Sequence, residues 1–179
     1  MASPNGSVPH SMIIDRLTKT DVEEYRTLML GAYASEPETF TSTAEERAPL
    51  ALEWWKSRVE RDIVLGAYVS DRLVGVAGLR RGDRERTAHK ATLFGMFVAP
   101  QSRRCGIGRA LVEAVLDRAR RSPPLRVVQL TVTKSNRSAV GLYEACGFSC
   151  FGSEPYAVRV DGGFVTKLHM WYDLANRAA

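Results

Sequence analysis

No apolar run in this chain approaches the ~20 residues that a membrane-crossing helix needs, so no spanning helix is expected. Cysteine is scarce. Cys105, Cys146 and Cys150 are odd in number and lack metal-ligand spacing, which argues against a disulfide framework or a zinc site and fits a reducing cytoplasm. Residues 1–10 lack a basic segment followed by an apolar core and read as a flexible leader, not a secretory signal. There is no internal repeat and no interdomain linker, so residues 11–175 read as one domain. Two phosphate-binding signatures are missing as well. Leu111 stands where a Rossmann fingerprint needs its third glycine, and no Gly-Lys-Ser/Thr is present for a Walker loop. The net charge of +5 is scattered, and the run at residues 80–86 mixes signs, so nucleic acid is not an expected partner.

What is present is an ordinary globular composition, 45% hydrophobic and 25% charged. Residues 11–17 read as a strand. Thr20 and Glu23 form a capping box for a helix through Tyr33, and residues 34–43 form a loop. A second helix carries Leu50, Leu52, Trp54, Trp55 and Val59, with at least one of the adjacent tryptophans in the core. Residues 63–69 and 73–79 make an antiparallel hairpin about a turn at 70–72. A strand at 90–99, a helix from Ile107, a strand at 126–133, a helix to Cys146 and a hairpin of residues 149–160 and 164–174 complete the order β-α-α-β-β-β-α-β-α-β-β.

The most informative stretch is the one around residue 103. Leu93, Phe94, Met96, Phe97 and Val98 form an apolar strand that Pro100 ends. Ile107, Leu111, Ala114 and Val115 then recur at helical spacing, opposite Arg109, Glu113, Asp117 and Arg120. A strand therefore meets a helix N-terminus, whose unpaired amides and macrodipole attract anions. Gly106 and Gly108 permit close approach, and Arg103, Arg104 and Arg109 add charge. On the two glycines alone, a plain helix cap with solvated arginines is the simpler reading.

A second strand-turn-helix segment contains Asn136, Ala139, Leu142, Tyr143, Gly147 and Phe148. Together, Arg103-Arg-Cys-Gly106-Ile-Gly108 and this Asn-x-x-Ala-x-x-Leu-Tyr-x-x-x-Gly-Phe pattern resemble the GCN5-related N-acetyltransferase (GNAT) superfamily. The resemblance implies an α/β (α+β) fold with a mixed, mostly antiparallel sheet of six to seven strands flanked by about four helices. It implies acetyl-CoA as cosubstrate, no metal, and a sheet that splays beside the strand at 90–99. Backbone groups of Met96 and Val98 would meet pantetheine, with Phe97 alongside and an oxyanion donor among the amides of Met96 and Phe97. Arg103, Arg104, Cys105, Gly106, Ile107, Gly108, Arg109 and Ala110 would surround the pyrophosphate. Asn136 and Ala139 would contact the pantetheine arm, and Tyr143 would act as general acid to the leaving sulfur. Without the motif, Tyr143 reads as a core aromatic and Asn136 as a helix cap.

The general base is less determined. The position where relatives carry a glutamate is Thr92 here, and His89 is the substitute that its pKa suggests. Glu36, Glu38 and Phe40 lie in the loop expected to receive the acceptor, while Cys105 reads as a pocket-lining residue and not a nucleophile. The resemblance thus implies acetyl transfer to a primary amine of a small molecule, peptide or protein. A different acyl donor and a non-catalytic CoA sensor are the alternatives. The exposed edges of the last hairpin leave monomer and homodimer open.

Overall fold

Alternating apolar residues along the central strands require both faces of a sheet to be covered, and two groups of helices cover them. The computed structural model describes residues 12–175; the leader and Ser11 lie outside the described residues. The strands are β1 (Met12–Arg16), β2 (Ile63–Val69), β3 (Arg72–Arg81), β4 (Lys90–Val98), β5 (Val127–Thr133), β6 (Ser149–Val160) and β7 (Gly163–Asp173). They form one sheet in the order β1-β2-β3-β4-β5-β7-β6, antiparallel throughout except for β4 and β5.

The helices are α1 (Val22–Ser35), α2 (Ala44–Arg47), α3 (Leu52–Arg61), α4 (Ile107–Arg120) and α5 (Arg137–Ala145). On one face, Leu111, Val112 and Val115 of α4 pack with Leu65, Leu79 and Leu130 of the sheet. On the other, Tyr25, Met29, Trp55 and Val59 of α1 and α3 pack on Val64 and Val76. Trp55 is fully buried and Trp54 half-buried, as their adjacency on one helix demands.

Two local expectations change. The helix does not begin on a Thr20 cap: the Asp21 carboxylate accepts from the Thr18 amide and hydroxyl at 2.7 and 2.8 Å, so a 3-10 turn at Lys19–Asp21 precedes α1. The loop after α1 is followed by a short helix, α2. Thr43 and Glu46 cap it reciprocally, each side chain accepting from the other's amide at 3.1 Å.

The strand that positions the site is β4. Opposite β3, its partners step from Phe94↔Gly78 to Phe97↔Val76, so Gly95 and Met96 face Ala77 alone. This is a β-bulge, and Gly95 adopts φ +60°, which a glycine takes without steric cost. The bulge resets the alternation. Phe94 and Phe97 pack toward the α1–α3 layer, whereas Met96 and Val98 pack toward α4.

Candidate active site

Parallel pairing between β4 and β5 is confined to Lys90↔Val127, Ala91↔Val128 and Thr92↔Gln129. Beyond Thr92 the strands separate, β4 remaining on β3 and β5 on β7. The Ala99 amide donates to Val74 O at 2.8 Å, toward β3, so strand alternation turns the backbone groups of Val98 and Met96 to the opposite edge, into the split. An edge with free donors and acceptors accommodates an extended amide-bearing chain as an added strand. Phe97, by the same alternation, turns its backbone groups toward its partner Val76 on β3.

The α4 N-terminus follows directly. Ala110 makes the first helical bond, to Gly106 O at 3.0 Å, leaving the amides of residues 107–109 without acceptors inside the helix. Gly106 is the N-cap at φ +79°, and Arg104 also lies in the left-handed region at +63°. Nothing lies within 4 Å of where a Cβ at Gly106 would stand. Gly108 has a different reason from the one its motif suggests: a Cβ there would come within 3.2 Å of Leu142 and 3.4 Å of Met96, so its small size lets α4 approach α5 and β4. The Ile107 side chain is core, so only its amide faces the junction.

The arginines divide. Arg103 turns back from the helix: its Nε donates to Val98 O at 2.8 Å, and its guanidinium pairs with Glu36 and lies 5.5 Å from the centre of the Phe97 ring. Arg109 is exposed and pairs with Glu113 at 2.8 Å. Arg104 is exposed beside the amides, as is Cys105, whose thiol donates to Arg103 O at 3.5 Å.

Across the split, Asn136 caps α5, its Oδ1 accepting from the Ala139 amide at 3.1 Å. Tyr143 is two turns further on, only 6% exposed, with its ring edge-on to Phe148 at 5.9 Å. Its hydroxyl has no hydrogen-bond partner among the described residues, and burial pushes its pKa well above the usual tyrosine value.

A cleft of about 520 Å³ opens at the C-terminal ends of β4 and β5, lined by Glu36, Glu38, Arg103, Thr133 and Asn136 among others. Lys167, which sequence reasoning missed, holds one wall. It is 4% exposed, and its Nζ donates to Thr39 O at 2.7 Å and Thr133 Oγ1 at 2.8 Å. The Thr133 hydroxyl in turn donates to Glu38 O at 2.6 Å, so the loop after α1 is tied to β5 and β7. Phe40 stacks edge-on to Tyr33 at 5.1 Å.

Lys167→Met is expected to lower stability by about 1–3 kcal/mol, because carbonyls gathered around the ammonium lose their donor. Burial also lowers the Lys167 pKa from 10.5. The unfolded chain therefore holds this proton at pH values where the folded chain has released it, so the folded state gains stability as pH climbs toward 10.5. Thermal unfolding across that range should show the gain in the wild type and not in Lys167→Met.

The structure does not bring His89 to this site. It is exposed at the start of β4, where its carbonyl accepts from the amides of Arg126 and Val127, about 30 Å of strand away from the split's open end. Nor does Glu36 offer free negative charge, since Arg103 neutralises it. Among the described residues, no helix is long and apolar enough to cross a membrane, and no group of three His, Cys, Asp or Glu side chains is placed to hold a metal.

A mixed sheet that splits beside a helix N-terminus suits an extended cosubstrate bearing phosphate at one end. Residues 29–148 match the acetyltransferase (GNAT) family, and the chain belongs to it. The GNAT acetyltransferase from Streptococcus pneumoniae superimposes with a TM-score of 0.81 at 25% identity, over 91% of this chain and 99% of that one. The fold is also that of yncA from Salmonella typhimurium, solved with its cofactor acetyl-CoA (TM-score 0.75, 20% identity, 94% and 97% covered). In sequence, 60 residues are 40% identical to the ribosomal protein bS18-alanine N-acetyltransferase of Escherichia coli K12. That match covers 34% of this chain and spans 40% of the curated relative's length.

Proposed function

We propose that this protein transfers an acetyl group from acetyl-CoA directly to a primary amine. The observation that carries the reading is the split between β4 and β5, which leads straight to the unpaired amides of the α4 N-terminus. The amides of residues 106–109, with Arg104 and Arg109, suit a pyrophosphate. The open edge of β4 at Met96 and the Val98 amide suits pantetheine amides, Val98 O being taken by Arg103 Nε, and Asn136 and Ala139 line the facing side.

Acetyl-CoA supplies an activated thioester; the chain supplies placement and protons. The amine enters through the cleft under the loop after α1 and attacks as the free base, its surplus proton passing to water in the cleft. The Met96 amide stabilises the charge that develops on the thioester oxygen. As the C–N bond forms and the C–S bond breaks, the Tyr143 hydroxyl protonates the departing sulfur. A tyrosine is neutral at physiological pH, so the hydroxyl has a proton to give, and the tyrosinate left behind takes one back from cleft water before the next turnover.

The test is thiol release from acetyl-CoA across amine classes, with calorimetry of CoA binding alongside. Binding with turnover on at least one primary amine is expected. Absence of CoA binding would overturn the reading, and binding without any turnover would favour a sensor.

A further inference from the structure

On the α1–α3 side of the β4 bulge, two aromatic rings hold three guanidiniums. Arg47 lies 4.6 Å and Arg58 5.5 Å from the centre of the Trp54 ring. Arg58 also lies 4.8 Å, and Arg80 4.6 Å, from the centre of the Phe94 ring. Their charges are balanced very differently. Arg80 is matched to Asp62 through three contacts of 2.7–3.2 Å. Among the described residues, Arg47 and Arg58 have no carboxylate partner. Among the described residues Arg47 donates to Ser42 Oγ, at 2.7 Å, Arg58 is hydrogen-bonded to the Tyr25 hydroxyl, and the Nε of each is sealed from solvent without an acceptor.

A ring face returns only about 0.5–2 kcal/mol to a cation, much less than a desolvated guanidinium gives up. Both side chains remain partly exposed, so an outside ligand can reach them. Their place in the fold is specific. The Cβ position at Gly95 lies 3.9 Å from Arg58 Nη2, which sets this guanidinium against the strand whose other edge faces the split. Both arginines lie over the same Trp54 ring, which places them together at that wall.

We propose that Arg58 and Arg47 form an anion-binding subsite on the acceptor side of the β4 bulge, so that the amine accepted by this enzyme is a small one bearing a carboxylate, as a free amino acid does. The proposal rests on the acetyl-transfer reading above. A carboxylate pairs with a guanidinium through charge-assisted, often bidentate bonds, and the nearness of Arg58 to the bulge puts the anion only a few bonds from the reacting amine. A polyamine or a lysine-rich peptide would instead meet like charge here, and of the two cleft acids Glu36 is already paired with Arg103, which leaves Glu38 alone to offset two guanidiniums.

The experiment measures kcat/KM with acetyl-CoA for free L-amino acids, their carboxamides, spermidine and an alanine-starting peptide, in wild type, Arg58→Gln and Arg47→Gln. For the best amino acid, the free acid should exceed its carboxamide by about 30-fold or more. Arg58→Gln should collapse that ratio through KM of the acid, with turnover of the carboxamide and calorimetric CoA affinity retained. Should Arg58→Gln fail to fold, Arg47→Gln reads the same ratio. Equal use of acid and carboxamide, an unchanged ratio in the variants, or turnover confined to spermidine or the peptide would overturn the subsite and leave acetyl transfer standing. CoA binding without turnover in any class would overturn both.

Discussion

Gly106→Val should reduce CoA affinity by about 100-fold or more while the protein stays folded. Two effects combine. At φ +79° a β-branched residue is strained by about 1–3 kcal/mol, and relaxing that strain rotates the amides that open α4. The space before Gly106 is also empty of protein atoms, so the valine methyls would stand where we propose that the pyrophosphate lies. Because nothing is displaced, the cost to thermal stability should not exceed the backbone strain. Gly106→Ala, strained but unbranched, should fall between the two in affinity. Calorimetry with CoA checks the series. Gly108→Ala makes the contrast: its Cβ would meet the ends of Leu142 and Met96 at 3.2 and 3.4 Å, so those side chains must shift and any loss of affinity should come with a change in thermal stability.

Tyr143→Phe should lower kcat by about 100- to 1,000-fold with the Kd for CoA little changed. The ring and its packing on Phe148 survive the change, and the lost hydroxyl leaves no polar partner stranded, so the variant should unfold at the wild-type temperature or slightly above it. A purely packing role for Tyr143 predicts equal kcat. The direction of its pKa adds a second check. Held above the ordinary tyrosine value of about 10, the hydroxyl stays protonated across the neutral range, so no loss of kcat from its ionisation should appear below pH ~10. For stability the sign is the same: the contribution of the protonated hydroxyl is complete below that ordinary value and declines as pH rises beyond it.

The side of the sheet proposed to bind cofactor was legible because its requirements are local. A strand ending at Pro100, a positive-φ glycine at 106 and a capping asparagine at 136 each leave a mark within a few residues, and the element order followed from strand and helix periods. Some local signals were overlooked: Thr43 and Glu46 are a capping box that announces α2, and Asp21 competes with Glu23 for the cap before α1. The acceptor side was not legible, for a physical reason. Lys167 sits in an alternating strand where a lysine normally reaches water, and only the loop after α1, more than a hundred residues earlier, buries it. Arg58 reads as the polar face of a helix until the bulge at Gly95 brings Phe94 beneath it. His89 was suggested by the neutral-range pKa of imidazole and its place at the start of a strand, yet extended strand carries that histidine to the end of β4 away from the split.

The most direct test of the account is a titration of the 15N-labelled protein with CoA, read at the backbone amides. The account predicts the largest shifts at Gly106, Ile107, Gly108 and Arg109, with a second set at Met96 and Val98 along the open edge of β4. Saturable shifts elsewhere, with these six amides unmoved, would contradict it.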